Sequence, residues 1–475
     1  MSSAGKRQIV QVKRMVFSDN IFLFFFLPMV LLCDRLCPKA HRNGVLLLFS
    51  LIFYAWGEPV YVLLMLLVIA LNYMAGRLLE RFSDQSAARS RRTVLVAAVV
   101  LNLAILGVFK YTGFFMGLVK SLTHGSFSIP EIVLPIGISF YTFQSMSYVI
   151  DVYRGTAPVQ RNILSFGTYV ALFPQLIAGP IVKYGDIAEQ LAEREEKRAL
   201  TASGVRSFLY GLAKKVLLAN QMGLVADRLL LTESGTLSAW AGMIAYSLQI
   251  YFDFSGYSDM AIGLGRMFGF QFLKNFDFPY ISRSITEFWR RWHISLSAWF
   301  REYVYIPLGG NRRGLARQCL NLLIVWILTG LWHGASMNFV LWGLYYAVLL
   351  ILEKLLFGKV LERLPSLLSH AITLLLVALG WGIFYFTDFA MLGAFLGRLF
   401  SLTADTAAAR TWMLGYLPIG LFAAVASTHV GANLLKRLRR SSAAWLELLW
   451  LALLLVLCMA ALVSQSYNPF IYFRF

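Results

Sequence analysis

Charge is scarce in this chain. Only 14% of its 475 residues are Asp, Glu, Lys or Arg, 59% are hydrophobic, and mean hydropathy is +0.66. That balance excludes an ordinary soluble enzyme of this size. Acidic residues are scarcest, 24 against 43 Lys plus Arg, yet the basic excess forms no separate domain. It is spread over the connections between apolar runs, which argues against nucleic acid as a partner and fits orientation by cytoplasmic positive charge. Cysteine is nearly absent. Cys33, Cys37, Cys319 and Cys458 show no C-x-x-C spacing and read as small apolar packing residues. Missing too are a serine nucleophile elbow, a P-loop and an H-E-x-x-H motif, so a covalent or metal mechanism has no support and no permanently bound cofactor is expected. Strand-like alternation does not occur.

What is present is a succession of apolar runs, near 21–33, 45–56, 59–75, 94–109, 132–150, 216–231, 238–264, 318–333, 336–356, 367–387, 411–432 and 444–463. Their lengths approach the span of a bilayer and predict an all-α polytopic membrane bundle of about 11–12 transmembrane helices, with re-entrant and interfacial helices. Segment 163–182, with Pro174, Gly179 and Pro180, reads as re-entrant. The run at 21–33 is followed by no cleavage site and is expected to be retained. Residues 1–14 read as a dispensable, disordered extension ahead of Met15. Residues 15–475 are expected to form one membrane domain with a catalytic core at about 132–357.

If alternate loops are cytoplasmic from Asp34–Gly44 onward, that side collects Arg77–Arg92, Lys183–Lys215, Arg266–Arg317 and the run Lys436, Arg437, Arg439, Arg440. The opposite loops are almost neutral, which places both termini on the periplasmic or extracellular side. Between Arg266 and Arg317, Trp289, Trp292, Trp299, Tyr303 and Tyr305 interleave with arginines. That pattern predicts short amphipathic helices with rings at headgroup depth.

His333 ends an apolar run within TGLWHGASMNFVL (Thr329–Leu341). An ionisable group at membrane depth is costly and usually faces a protein interior or a reaction path. As a neutral imidazole it can serve as general base, with Thr329 and Asn338 near enough in sequence to fix its tautomer. A packed, hydrogen-bonded histidine is the ordinary alternative. His293 lies in FWRRWHISLSAWFR (Phe288–Arg301), where helical i,i+4 spacing would share a face with Trp289. Structural and catalytic readings stand level there.

Arg290, Arg291, Arg301, Arg312 and Arg313 are dense enough to bind phosphates bidentately, although topology and anionic lipid account for much of the cluster. The turn Pro307–Asn311 beside them is not explained that way. Asp253 and Asp259, six residues apart in YFDFSGYSD, do not share a helix face and read as bonded to Ser and Tyr neighbours or lining an aqueous path. Gly263, Gly265 and Gly269 follow no strand and read as helix contacts.

FWRRWHISLSAWFREYVYIPLGGNR (Phe288–Arg312) followed by LTGLWHGASMNFVLWGLYY (Leu328–Tyr346) resembles the membrane-bound O-acyltransferases, specifically their alginate O-acetyltransferase branch. The likeness extends through LPIGISFYTFQSMSYVIDVYRG (Leu134–Gly155), FPQLIAGPIVKY (Phe173–Tyr184), YFDFSGYSDMAIGLGRMFGF (Tyr251–Phe270) and the start MVFSDNIFLFFFLP at Met15. It implies a catalytic role for His333, a second role for His293, and donor phosphates held by Arg290, Arg291, Arg312 and Arg313. It further implies cytoplasmic acetyl-CoA as the acyl donor and the cell inner membrane as the protein's location. The acceptor it implies is an exopolysaccharide such as alginate, reached directly or through a periplasmic partner. D-alanyl transferases of cell-wall polymers share the Trp-His motifs and stay open, as does a non-catalytic polymer transporter subunit.

Overall fold

The computed structural model describes residues 15–82, 87–125, 127–177, 179–194, 197–441, 444–464 and 471. The expected extension at 1–14 lies outside the described residues. Those described are helical wherever regular, with no strand among them, as hydrocarbon requires of a chain that pairs all its backbone groups within each segment.

Seven helices are long and apolar enough to cross a membrane: Tyr61–Arg81, Ala88–Thr123, Leu315–His333, Met337–Arg363, Ser366–Tyr385, Ala407–Ala426 and Trp445–Ser464. The other apolar runs give shorter helices, such as the 16-residue Arg42–Gly57 and the 17-residue Ile138–Arg154, or helical stretches that carry charge. Two such stretches carry charge: the contiguous Arg198–Ala213, Lys214–Ala219 and Asn220–Leu231, and Thr236–Met267, a central rod of 32 residues containing Asp253, Asp259 and Arg266 and buried along most of its length. Segment 163–182 contains Ile163–Ala171, buried from Ser165 onward, and the buried Phe173–Leu176, both far too short to span.

Glycines set how closely the central rod meets Arg198–Ala213. A Cβ on Gly263 would stand 2.6 Å from the Gly204 carbonyl oxygen, and one on Gly211 would stand 2.5 Å from that of Gly256. Backbones this close gain dispersion contact that larger side chains would prevent, the usual means of helix association where both surfaces are apolar.

The expected path of the 266–317 connection needs correcting. It does contain short helices, Ile285–Arg291 and Ile294–Phe300 with a π turn at Arg301–Tyr305, but Trp289, Trp292 and Trp299 are buried inside the protein rather than turned outward as an amphipathic surface helix would hold them. Trp299 stacks on Phe143 with centroids 3.8 Å apart, and Trp289 meets Trp326 at 4.6 Å and Tyr346 at 4.8 Å. Each such pair adds about 0.5–1.5 kcal/mol beyond area burial. The connection is thereby folded into the bundle, and this carries His293 inward.

Candidate active site

His333 is the last residue of Leu315–His333, and the chain leaves the helix through Gly334, whose backbone is extended. A side chain at Gly334 would run into the Phe339 ring. The Trp-His-Gly sequence therefore ends the helix and turns the chain in the smallest possible space. His333 is buried among Trp332, Trp342 and Phe384, with ring centroids 5.0, 5.1 and 5.4 Å away.

His293 does not sit on a continuous helix, contrary to the spacing argument. The helix stops at Arg291, Trp292 is extended, and His293 adopts the left-handed region at φ 45°. Such a conformation costs a non-glycine residue roughly 1–2 kcal/mol. Segment 275–277 offsets it: Asp277 N donates to the Arg291 carbonyl and Ile294 N to the Asn275 carbonyl, both at 2.9 Å. Ser295 adds bonds from its backbone N and its Oγ to Asn275 Oδ1 at 3.1 and 2.9 Å. The turn aims the buried imidazole toward Trp332, 5.9 Å away, whose indole thus meets both histidine rings edge to face.

Both imidazoles line one cavity of about 410 Å³. Its walls are largely apolar, with Leu322, Val325, Trp326 and Leu350, and the exposed Arg290 and Arg301 also line it. A passage thus joins guanidinium groups open to solvent with two buried histidines. Nδ1 of each ring is buried with no side-chain hydrogen-bond partner among the described residues. The anticipated partners point elsewhere. Thr329 Oγ1 donates to the Val325 carbonyl at 2.8 Å, and Asn338 Nδ2 lies 3.5 Å from the Ile383 and Phe384 carbonyls.

The arginines divide. Arg290 reaches the cavity, whereas Arg291 turns to Glu287 at 2.9 Å and Asp277 at 3.6 Å. Arg312 and Arg313 are exposed and do not line the cavity; Arg301, counted in the cluster but not assigned to the donor, does. Asp253 and Asp259 meet neither serine nor tyrosine as principal partner. Each forms an ion pair at 2.6 Å, with Lys215 and Lys214 respectively. Among the described residues no three His, Cys, Asp or Glu side chains converge as metal ligands would.

Lys110 and Tyr111 escaped the sequence reading. Lys110 Nζ, buried, donates to the Trp332 carbonyl and, at 3.2 Å, to Ser139 Oγ, while the Tyr111 hydroxyl donates to the Leu331 carbonyl at 2.8 Å. The available signal was a lysine directly after the apolar run at 94–109 with apolar sequence resuming beyond it.

An imidazole pair at the buried end of an apolar cavity, inside a multi-pass helical protein, is an arrangement suited to proton transfer during group transfer within a membrane. The model of the membrane-bound O-acyltransferase family (MBOAT) matches residues 156–396, which include both histidines and all five clustered arginines. The chain belongs to that family and is an O-acyltransferase. It is 45% identical over 375 residues to the probable alginate O-acetylase AlgI of Pseudomonas aeruginosa, covering 78% of this chain and 72% of that protein. To the probable alginate O-acetylase AlgI of Pseudomonas putida it is 39% identical over 492 residues, covering 97% and 100%. To a peptidoglycan O-acetyltransferase of Helicobacter pylori it is 33% identical over 413 residues, covering 79% and 78%.

Proposed function

We propose that this protein moves an acetyl group from cytoplasmic acetyl-CoA across the cell inner membrane for O-acetylation of an exopolysaccharide of the alginate type, directly or through a periplasmic acetyltransferase. The observation that carries the reading is the cavity joining the exposed Arg290 and Arg301 to His333 and His293. Relatives named as alginate O-acetylases support the acceptor. Excess Lys and Arg on one set of loops supports a cytoplasmic donor face with both termini periplasmic.

His333 takes the proton of the acceptor hydroxyl as its oxygen attacks the thioester carbonyl; the carbon–sulfur bond then breaks and the departing thiolate receives the proton. Proton transfer by a positioned side chain contributes about 10²–10⁴-fold. His293 shares the cavity and acts as the second histidine. Arg290 and Arg301 hold donor phosphates at the mouth, Arg312 and Arg313 add positive field outside it, and Arg291 supports the turn that carries His293.

The test compares ester acetate on extracellular and wall glycans between wild type and a His333→Ala strain with equal amounts of protein in the membrane. Loss of acetate from one polymer is expected and identifies the acceptor. Near-normal acetylation would remove the mechanism. Labelled acetyl-CoA with purified protein separates an enzyme, which gives His333-dependent transfer or hydrolysis, from a polymer transporter, which gives neither.

A further inference from the structure

The last carbonyls of any α-helix lack partners within the helix and must be satisfied from outside. In Leu315–His333 two of them, on Leu331 and Trp332, are taken by consecutive residues of one other helical stretch, Tyr111 and Lys110. These two lie in a π turn, Gly107–Tyr111, inside the 36-residue stretch Ala88–Thr123. π turns widen a helix and re-aim its side chains, and they recur beside functional sites.

An ammonium is an expensive means of capping a carbonyl in this setting. Lys110 is buried at membrane depth, and among the described residues no carboxylate pairs with it; its partners are the Trp332 carbonyl and Ser139 Oγ, with the Trp332 ring centroid 5.9 Å from Nζ. A hydroxyl or amide could satisfy a carbonyl at far lower desolvation cost. What the ammonium adds is a positive charge at the negative end of the helix dipole, fixed one residue before His333.

We propose that Lys110 and Tyr111 are positioning residues for His333: together they clamp the final turn of its helix and hold the imidazole in the cavity at the angle that acyl transfer requires. The inference rests on the reading of His333 as general base. Lys110 and Tyr111 do not line the cavity, so their influence passes through the backbone of residues 331–333. A displacement of about 1 Å at a reacting group costs on the order of 10²-fold in rate, and release of either carbonyl permits a movement of that size.

The experiment uses the full-length protein in nanodiscs, with Lys110→Met, Lys110→Arg, Tyr111→Phe and His333→Ala compared for turnover of labelled acetyl-CoA and for amide hydrogen exchange across residues 328–336. Expected for Lys110→Met is a kcat lower by about 10²-fold, an unchanged KM, faster exchange at His333 and Gly334, and an unaltered melting temperature. Lys110→Arg is expected to restore part of the rate, and Tyr111→Phe to reproduce the exchange change in weaker form. Wild-type kcat and exchange in Lys110→Met and Tyr111→Phe would overturn the proposal. So would a general loss of stability that Lys110→Arg does not relieve, since Lys110 would then serve the fold alone. Activity retained by His333→Ala would instead overturn the reading of His333, and the exchange data would still decide whether the clamp exists.

Discussion

Lys215 Nζ and Asp253 Oδ1 lie 2.6 Å apart with both side chains buried, joining the central rod to the helix that precedes it. Asp253 Oδ2 also accepts the backbone N of Ile471 at 2.8 Å. Removing one member of such a pair strands a charge, so Lys215→Met alone is expected to cost about 3–5 kcal/mol. The double variant Lys215→Met/Asp253→Leu is expected to recover most of that loss. Thermal unfolding in detergent checks both, and a double variant no more stable than the single would show that the pair is not the source.

His293 allows conformation and chemistry to be separated. At φ 45°, glycine and asparagine are tolerated while a β-branched residue is strained by about 1–3 kcal/mol. His293→Asn and His293→Gly are therefore expected to melt near wild type and His293→Val several degrees lower. All three are expected to lose most acyl transfer. If the asparagine variant retains full turnover, the histidine has a structural role only.

The two arginines of the cavity should behave differently from the other three. Charge-assisted bonds are worth about 1.5–3 kcal/mol, so Arg290→Ala and Arg301→Ala are each expected to raise KM for the acyl donor by about 10- to 100-fold with little change in kcat. Arg312→Ala and Arg313→Ala are expected to weaken only the salt-sensitive part of donor capture. Arg291→Ala is expected to lower stability, through loss of Glu287 and Asp277. Steady-state kinetics at two ionic strengths distinguishes these outcomes.

Acid should loosen the His293 turn from outside the membrane. The Lys274 ammonium bonded to Asp277 holds its carboxyl below the ordinary value of 3.8, with Arg291 assisting. A depressed carboxyl pKa contributes stability that is complete above the unfolded value and is lost as pH falls below 3.8 toward the folded one. Hydrogen exchange across residues 290–296 is therefore expected to accelerate below about pH 4 in wild type, and Asp277→Asn is expected to show the faster rate already at neutral pH. Equal exchange in the two proteins at neutral pH would contradict this.

Helix identity and bundle class were legible because apolar length and hydrocarbon thickness impose the same scale, and the burial of His333 because it ends an apolar run; its catalytic role remains a proposal. The conformation at His293 was not legible. Its left-handed turn is held by Asn275 and Asp277, 18 and 16 residues upstream, which local periodicity does not register. The partners of Asp253 and Asp259 were hidden for the same reason, since Lys214 and Lys215 approach from another helix. Arg290 and Arg291, neighbours of one residue type, differ only in which way a helix turns them.

The stretch Ala88–Thr123 is little covered by the rest of the protein, so acyl chains must press on most of its surface, yet its two polar tips grip the end of the His333 helix. If Lys110 and Tyr111 position His333 as proposed, a tilt of this outer stretch would reach the imidazole through those two bonds. On the proposed clamp, turnover is expected to vary with bilayer thickness, which reconstitution in short- and long-chain lipids checks.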